Sequence, residues 1–316
     1  MKKSMSAAKF YRKYGIMVIF IVLFIVSAII NHNFLKPQNL INILTQISVV
    51  TMIACGETML IVSGQLDLSA GLMCTGSACF SAGVLVSTGS VPLAIIVGLG
   101  FGAICGWING FLVSHFHLQS FIATLAMTNI IKGMVQLYTN GQAISGVEKI
   151  SWLGQGKVLQ IPVPVIVMLL CVLVTSIIMK RTQFGEVMYA LGGNTKAAVA
   201  SGINTGRSVR KVFMLSGIIT GLAGLVLMAR LTAGMPSVGE GYEFDAITGS
   251  VVGGTSFLGG IGSVGGALVG SIIVGLINNI LNLLHVSTQY QLIAKGILIA
   301  SAVIIDVKTK EDKKSL

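Results

Sequence analysis

The feature that most constrains this chain is a succession of apolar runs, each about as long as a membrane is thick. An α-helix rises about 1.5 Å per residue, so crossing a hydrocarbon layer of about 30 Å takes about 20 mainly apolar residues. Ten stretches are candidates: Tyr14–Ile30, Leu40–Ser63, Leu68–Val86, Val91–Val113, Leu118–Tyr138, Ile161–Met179, Val212–Ala233, Tyr242–Gly254, Val264–Leu284 and Tyr290–Ile305. The eighth is short and glycine-rich, as a half-helix or re-entrant segment would be; such backbone survives at membrane depth only under a cover of protein. Composition agrees. Charged residues make up 10% of the chain, where a soluble domain carries about 25%. The sequence therefore predicts an all-α integral membrane protein with ten transmembrane helices, residues 1–316 forming a single transmembrane domain.

The first run has a basic flank (Lys2, Lys3, Lys9, Arg12, Lys13), as a signal peptide does. No small-residue cleavage site follows, since the chain continues Asn31-His32-Asn33-Phe34; it reads as an uncleaved helix. Basic residues also orient the spans. With the N-terminus inside, fifteen lysines and arginines fall inside: those five, then Lys180, Arg181, Lys196, Arg207, Arg210 and Lys211, then Lys308, Lys310, Lys313 and Lys314. Only Lys36, Lys149 and Lys157 fall in outside loops. This asymmetry predicts a multi-pass protein of the cytoplasmic (inner) membrane with both termini cytoplasmic. Residues 139–160 become the main external loop and residues 180–211 the main cytoplasmic loop. The net charge of +11 is thus clustered in loops, unlike the basic stripe of a nucleic-acid binder.

Several chemistries lack their residues. Cys55, Cys74, Cys79, Cys105 and Cys171 all sit in apolar runs with no Cys-x-x-Cys spacing, and read as buried thiols. Gly260-Ile261-Gly262-Ser263-Val264-Gly265 matches G-x-G-x-x-G, but it joins two spans and no acid follows before Asp306; dinucleotide binding needs a strand before it and an acid about 20 residues on. His32, His115, His117 and His285 have no metal-ligand spacing. No P-loop occurs, so ATP and Mg²⁺ would have to be bound by a partner chain. The expectation is a transporter subunit rather than an enzyme, with no metal or cofactor of its own.

Glycines recur every four residues at Gly98, Gly102, Gly106 and Gly110, and again at Gly262, Gly266 and Gly270. Each set makes a smooth helix stripe for close packing within the chain or against a second subunit. Ionisable residues within spans are costly and mark function or pairing. Glu57 lies in the second span, and Asp67 lies at the turn after it, either capping the third span or serving transport. Lys132, Arg230 and Lys295 either snorkel or pair with acids. Gln46 on the second span, Thr124, Thr128 and Asn129 on the fifth, and Asn278, Asn279 and Asn282 on the ninth offer amides and hydroxyls. These suit either passage of a neutral polyol or hydrogen bonds between helices. In the cytoplasmic loop, Asn194 or Thr195 can cap a short helix, Lys196–Ser201, that Gly202 ends in the left-handed conformation. So short a helix is marginal alone and makes sense docked into a partner.

At Gln38-Asn39-Leu40-Ile41-Asn42-Ile43-Leu44, Asp67-Leu68-Ser69, Phe121-Ile122-Ala123-Thr124-Leu125, Tyr138-Thr139-Asn140-Gly141, Tyr189-Ala190-Leu191-Gly192-Gly193-Asn194, and above all Gly241-Tyr242-Glu243-Phe244-Asp245-Ala246-Ile247 with Gly253-Gly254-Thr255-Ser256 and Leu276-Ile277-Asn278-Asn279, the chain resembles the permease subunits of bacterial monosaccharide ABC importers, the ribose permease family. The resemblance implies a fold like the vitamin B12 importer (type II) and a second permease copy, in a homodimer. It implies a cytoplasmic ATPase docked at Glu186, Gly193, Asn194, Ala197, Ala198 and Gly202. It also implies an external sugar-binding protein, for which Tyr138, Asn140, Glu148, Tyr242 and Glu243 are the docking candidates. Gln46, Glu57, Asp67 and the threonines and asparagines above then become candidates for the path of ribose or a similar sugar. An ion-coupled carrier using Glu57 or Asp67, or a nucleoside or branched-chain amino acid permease of the same superfamily, are the alternatives.

Overall fold

A computed structural model describes residues 7–314. Lys2 and Lys3 of the basic flank lie outside the described residues, as do the side chains of Lys9, Arg12 and Lys13 and of the tail lysines. The elements run α1 Ala7–Ile30, α2 Pro37–Val62, α3 Ala70–Thr88, α4 Val91–His115 and α5 Ser120–Thr139. The long loop holds β1 Ile144–Ser145, α6 Ser151–Gln155, β2 Lys157–Val158 and β3 Ile161–Pro162. Then follow α7 Val163–Arg181, α8 Gln183–Gly193, α9 Thr195–Ala200, α10 Thr205–Leu231, β4 Ala233–Gly234, α11 Tyr242–Val252, α12 Val264–Leu283 and α13 Thr288–Lys314.

Local chemistry sets the helix ends. Prolines stand in the first turn of α2, α4 and α7, where their missing N–H costs nothing. Ser90, Asn194, Asn204 and Ser263 each accept a backbone N–H from the turn they precede, satisfying a donor the helix leaves free. Among the described residues, seven helices, α2, α3, α4, α5, α7, α10 and α12, are long and apolar enough to cross a membrane. The described apolar part of α1 is Ile16–Ile30.

Three helices form the centre. The most apolar stretch of α2 is 83% buried, that of α10 78% and that of α3 72%, against 28% for α4 and α5. The glycine stripe of α4 lies against α10: a Cβ at Gly102 would strike the Gly217 backbone, and one at Gly106 or Gly110 the backbone of Phe213 or Arg210. The second stripe packs within the chain too, Gly266 on Gly253 and Gly270 on Gly249. All five cysteines are free and buried.

One end of the bundle carries α8 and α9; the other carries α6. Antiparallel pairing of Ile144 with Gly234 ties the α5–α7 loop to the segment after α10 at the α6 end. From there residues 232–262 return to the α9 end as a broken crossing. Gly234 lies on Ala78, Cys79 and Ala82 of α3, and Gly239 on Gly71 and Thr75. α11 then takes over, and the loop after it donates Gly260 N to Val62 O at the foot of α2. The eighth stretch is thus a half-helix of 11 residues, about 16 Å long, preceded by β4 and by turns over residues 236–241.

The loop between α7 and α10 holds more helix than its sequence suggested, since α8 precedes α9. Asn194 is the cap, its Oδ1 accepting from Ala197 N at 3.0 Å, while Thr195 donates back to Leu191 O. Gly202 follows at φ +81°.

Candidate functional site

The polar residues singled out above fall into three groups. The first is a buried cluster where the α2–α3 turn climbs back beside α2. Asp67 Oδ1 accepts from Ser69 N at 2.8 Å and from Ser69 Oγ at 2.5 Å. Asn109 of α4 donates to Ser69 Oγ at 2.9 Å. Glu57 Oε2 accepts from Asp67 N at 3.5 Å. Glu57, Asp67, Ser69, Asn109 and Thr124 are all fully buried. Asp67 therefore organises the turn before α3 instead of capping the helix itself. Thr124 accepts from Leu68 N, and Thr128 donates to Leu68 O. These groups hold α2, α3, α4 and α5 together.

The second group surrounds α11. Lys295 of α13 meets Asp245 at 2.9 Å, with the Asp245 side chain 7% exposed. Asn278 of α12 donates to the same Asp245 oxygen at 3.5 Å. Glu243 is buried, accepting from Gly241 N, and Gly241 adopts φ +92°, a conformation natural to glycine. Gln46, Tyr242 and Asn278 line a small cavity of about 40 Å³ beside Asp245. Arg230 donates to Thr45 O at 3.3 Å. Asn279 and Asn39 exchange amide hydrogen bonds at 3.0 and 3.2 Å, and Gln291 donates to Asn282 at 2.9 Å. Of the ninth-span amides, Asn279 is thus taken up in packing, while Asn282 stays exposed.

The third group is exposed on α5: Asn129, Lys132 and Gln136, with Lys132 Nζ 2.9 Å from Glu240 Oε1. Glu240 was not legible as a partner, since it lies 108 residues away in the turns before α11. Lys132 and Lys295 both pair with acids, as their cost at membrane depth requires.

Three placements bear on the candidates for partner docking. Tyr242 and Glu243 lie at the start of the half-helix, Glu243 buried against Gly71 of α3. They are held there because the turns before them descend alongside α3, with Gly234 and Gly239 packed on it. Tyr138 keeps part of its ring exposed but packs on Phe80 at 4.7 Å; Asn140 and Glu148 are exposed in the loop. Ala198 is buried at 3% exposure, while Ala197 and Val199 face outward. A six-residue helix can turn one side inward, and here Ala198 is on that side.

At the α9 end, the tips of the α2–α3 and α4–α5 turns frame a cavity of about 530 Å³, lined by Gln65, His117, Gln119, Ser120 and Phe257 among others. Beside it α8 grips the loop before α12. Tyr189 donates its hydroxyl to Gly262 O at 2.8 Å, and Gly192 and Gly193 pack against Gly259 and Gly260. Burial pushes the Tyr189 phenol above its ordinary pKa, so it keeps its donor proton. Glu186, Gly193 and Asn194 are exposed on this side.

A family model described as branched-chain amino acid transport system / permease component matches residues 39–303. A ribose import permease protein of Bacillus subtilis (strain 168) is 42% identical over 290 residues, covering 91% of this chain and 90% of that protein. A ribose import permease protein of Escherichia coli (strain K12) is 35% identical over 316 residues, 97% of this chain and 98% of its own. The L-arabinose transport system permease protein of the same strain is 33% identical over 317 residues, 100% of this chain and 96% of its own. No solved structure matches.

Proposed function

We propose, on the premise that this chain belongs to the permease-component family of branched-chain amino acid transport systems, that it is the membrane-spanning subunit of an ATP-driven ABC importer for a sugar. It is a multi-pass protein of the cytoplasmic membrane and a transporter subunit, not an enzyme; hydrolysis belongs to a separate ATPase chain. The observation that carries the cargo class is near full-length similarity to permeases named for ribose and arabinose. A pentose is the cargo we put forward, ribose first. The hydrogen-bonding groups along α5 and around α11 suit a neutral polyol.

Nine long helices and the broken crossing amount to ten passages, in the arrangement of the vitamin B12 importer, with both termini cytoplasmic and the α9 end inside. The charge asymmetry between the two ends supports this orientation. Two copies enclose the path between their α5 and α11 segments, and the cavity behind Gln65 and Gln119 is its inner mouth. The ATPase, holding ATP and Mg²⁺, docks on Glu186, Gly193, Asn194, Ala197 and Gly202, with Val199 added and Ala198 supporting from beneath. An external sugar-binding protein docks at the α6 end around Asn140 and Glu148. Glu57 and Asp67 brace the fold near the path.

A direct test is ATP hydrolysis by the assembled complex in lipid nanodiscs. Sugar-binding protein loaded with ribose or arabinose should stimulate it; a binding protein loaded with leucine should not. Stimulation by the amino acid alone would overturn the sugar reading.

A further inference from the structure

We propose that Lys132 and Glu240 form a sugar-hydroxyl contact site on the wall of the translocation path, an inference that rests on the sugar-importer reading above. Lys132 is the thirteenth of the 20 residues of α5, about 18 Å from the end that adjoins α4 and about 10 Å from the other. That places it within a hydrocarbon layer of about 30 Å. It reaches across to Glu240, with the two side chains 47% and 54% exposed. A half-exposed ion pair at this depth cannot lie against lipid; water or a polar guest must meet it.

The rest of α5 sorts in the same way. Asn129 and Gln136 stand three residues before and four after Lys132, on one stripe of the helix, and both are exposed. Asn129 donates only to its own turn, at Leu125 O. A Cβ on Gly133 would meet nothing within 4 Å. Ile130, Met134 and Leu137, on the adjoining exposed side, are apolar, as lipid or another helix requires. Ala123, Met127, Ile131 and Val135 are buried. The polar stripe is therefore a narrow strip flanked by apolar surface, as the wall of a water-lined passage would be.

The two charges come from different elements with a common support. Lys132 rides on α5, and Glu240 follows Gly239, whose N–H is held by Thr75 Oγ1 of α3 at 3.1 Å. Each buries its neighbours against α3, so their spacing is fixed while their heads stay in solvent. A vicinal diol complements such a pair: one hydroxyl donates to the carboxylate while the other accepts from the ammonium. An exposed ion pair contributes little to stability, so a passing sugar can replace it at small cost. The buried Lys295–Asp245 pair has no such freedom.

Two readouts test this in the complex of permease, ATPase and binding protein in proteoliposomes. Single cysteines replacing Lys132, and separately Asn129 and Gln136, should react with a small hydrophilic thiol reagent, and sugar with ATP should alter the labelling rate. The unmodified chain, whose own cysteines are buried, sets the background. Next, Lys132→Gln and Glu240→Gln should lower the preference for ribose over its deoxy analogues by about fivefold, the value of one lost hydrogen bond. The same binding protein is used throughout, so its own preference cancels. No labelling at all three positions in a transporting complex, or an unchanged sugar preference in both Gln variants, would overturn the inference alone. Failure of the unmodified complex to move any monosaccharide would overturn the sugar-importer reading instead.

Discussion

Asp245 and Glu240 each meet a lysine at 2.9 Å, one pair buried and the other half in solvent, and they should answer mutation differently. Lys295→Met leaves the Asp245 carboxylate buried without its cation and should cost about 3–5 kcal/mol. Adding Asp245→Leu removes that charge and should recover most of the loss. Lys132→Met should cost under about 1 kcal/mol. Thermal unfolding of the purified permease in detergent reads all three; equal losses for the two lysines would contradict the assignment. Tyr189 gives a pH expectation. Its pKa is raised in the folded state, so the stability from its protonated form is whole below about pH 10, the ordinary phenol value. That stability fades only as pH rises from there through the raised value. Tyr189→Phe should lower sugar-stimulated ATP hydrolysis about fivefold at neutral pH, because it releases the α12 loop from α8. Full stimulation in that variant would mean the loop needs no such tie.

Among the elements, the α4–α10 seam is the most demanding. Gly217 faces Gly102 backbone to backbone, so Gly217→Val should destabilise the bundle by several kcal/mol through overpacking. Gly100, with nothing within 4 Å of an added Cβ, should accept alanine with a gain of about 0.5–1 kcal/mol. Detergent melting curves of the two variants would separate a packing seam from a general need for glycine. For α9, Val199→Glu should weaken co-purification of the ATPase while the permease melts normally. Ala198→Glu instead buries a carboxylate within the chain and should lower the melting point itself. Seven of the spans and the close packing of both glycine stripes were legible, because a 20-residue apolar run fits a membrane and a four-residue glycine repeat smooths one helix face. The first half of the broken crossing was not, since Thr232-Ala233-Gly234-Met235-Pro236-Ser237 carries neither helix period nor apolar length. Its backbone is paired with β1 and α3, elements far away in sequence. Among the site residues, Asp67 and Lys295 announced themselves by cost. Glu240 did not, because an acid in a loop-like stretch has no reason to look paired until the chain folds.

At the scale of the whole molecule, α2, α3 and α10 form a core around which α4, α5 and α7 present apolar surface to their surroundings. α5 also carries an exposed polar strip, and the half-helix α11 packs on α2, α12 and α13. The Tyr189–Gly262 bond and the glycine contacts beneath it connect the α8–α9 unit to the loop that joins α11 and α12. On the docking proposed above, movement at the α8–α9 surface has a short mechanical route to α11 and α12. If a separate ATPase drives sugar through this chain, uptake of radiolabelled ribose into proteoliposomes will depend on that ATPase and on ATP. With permease, ATPase, sugar-binding protein and ATP supplied, ribose should accumulate, and a non-hydrolysable ATP analogue should abolish the uptake. Accumulation driven by a proton or sodium gradient, with the ATPase and ATP left out, would contradict the account.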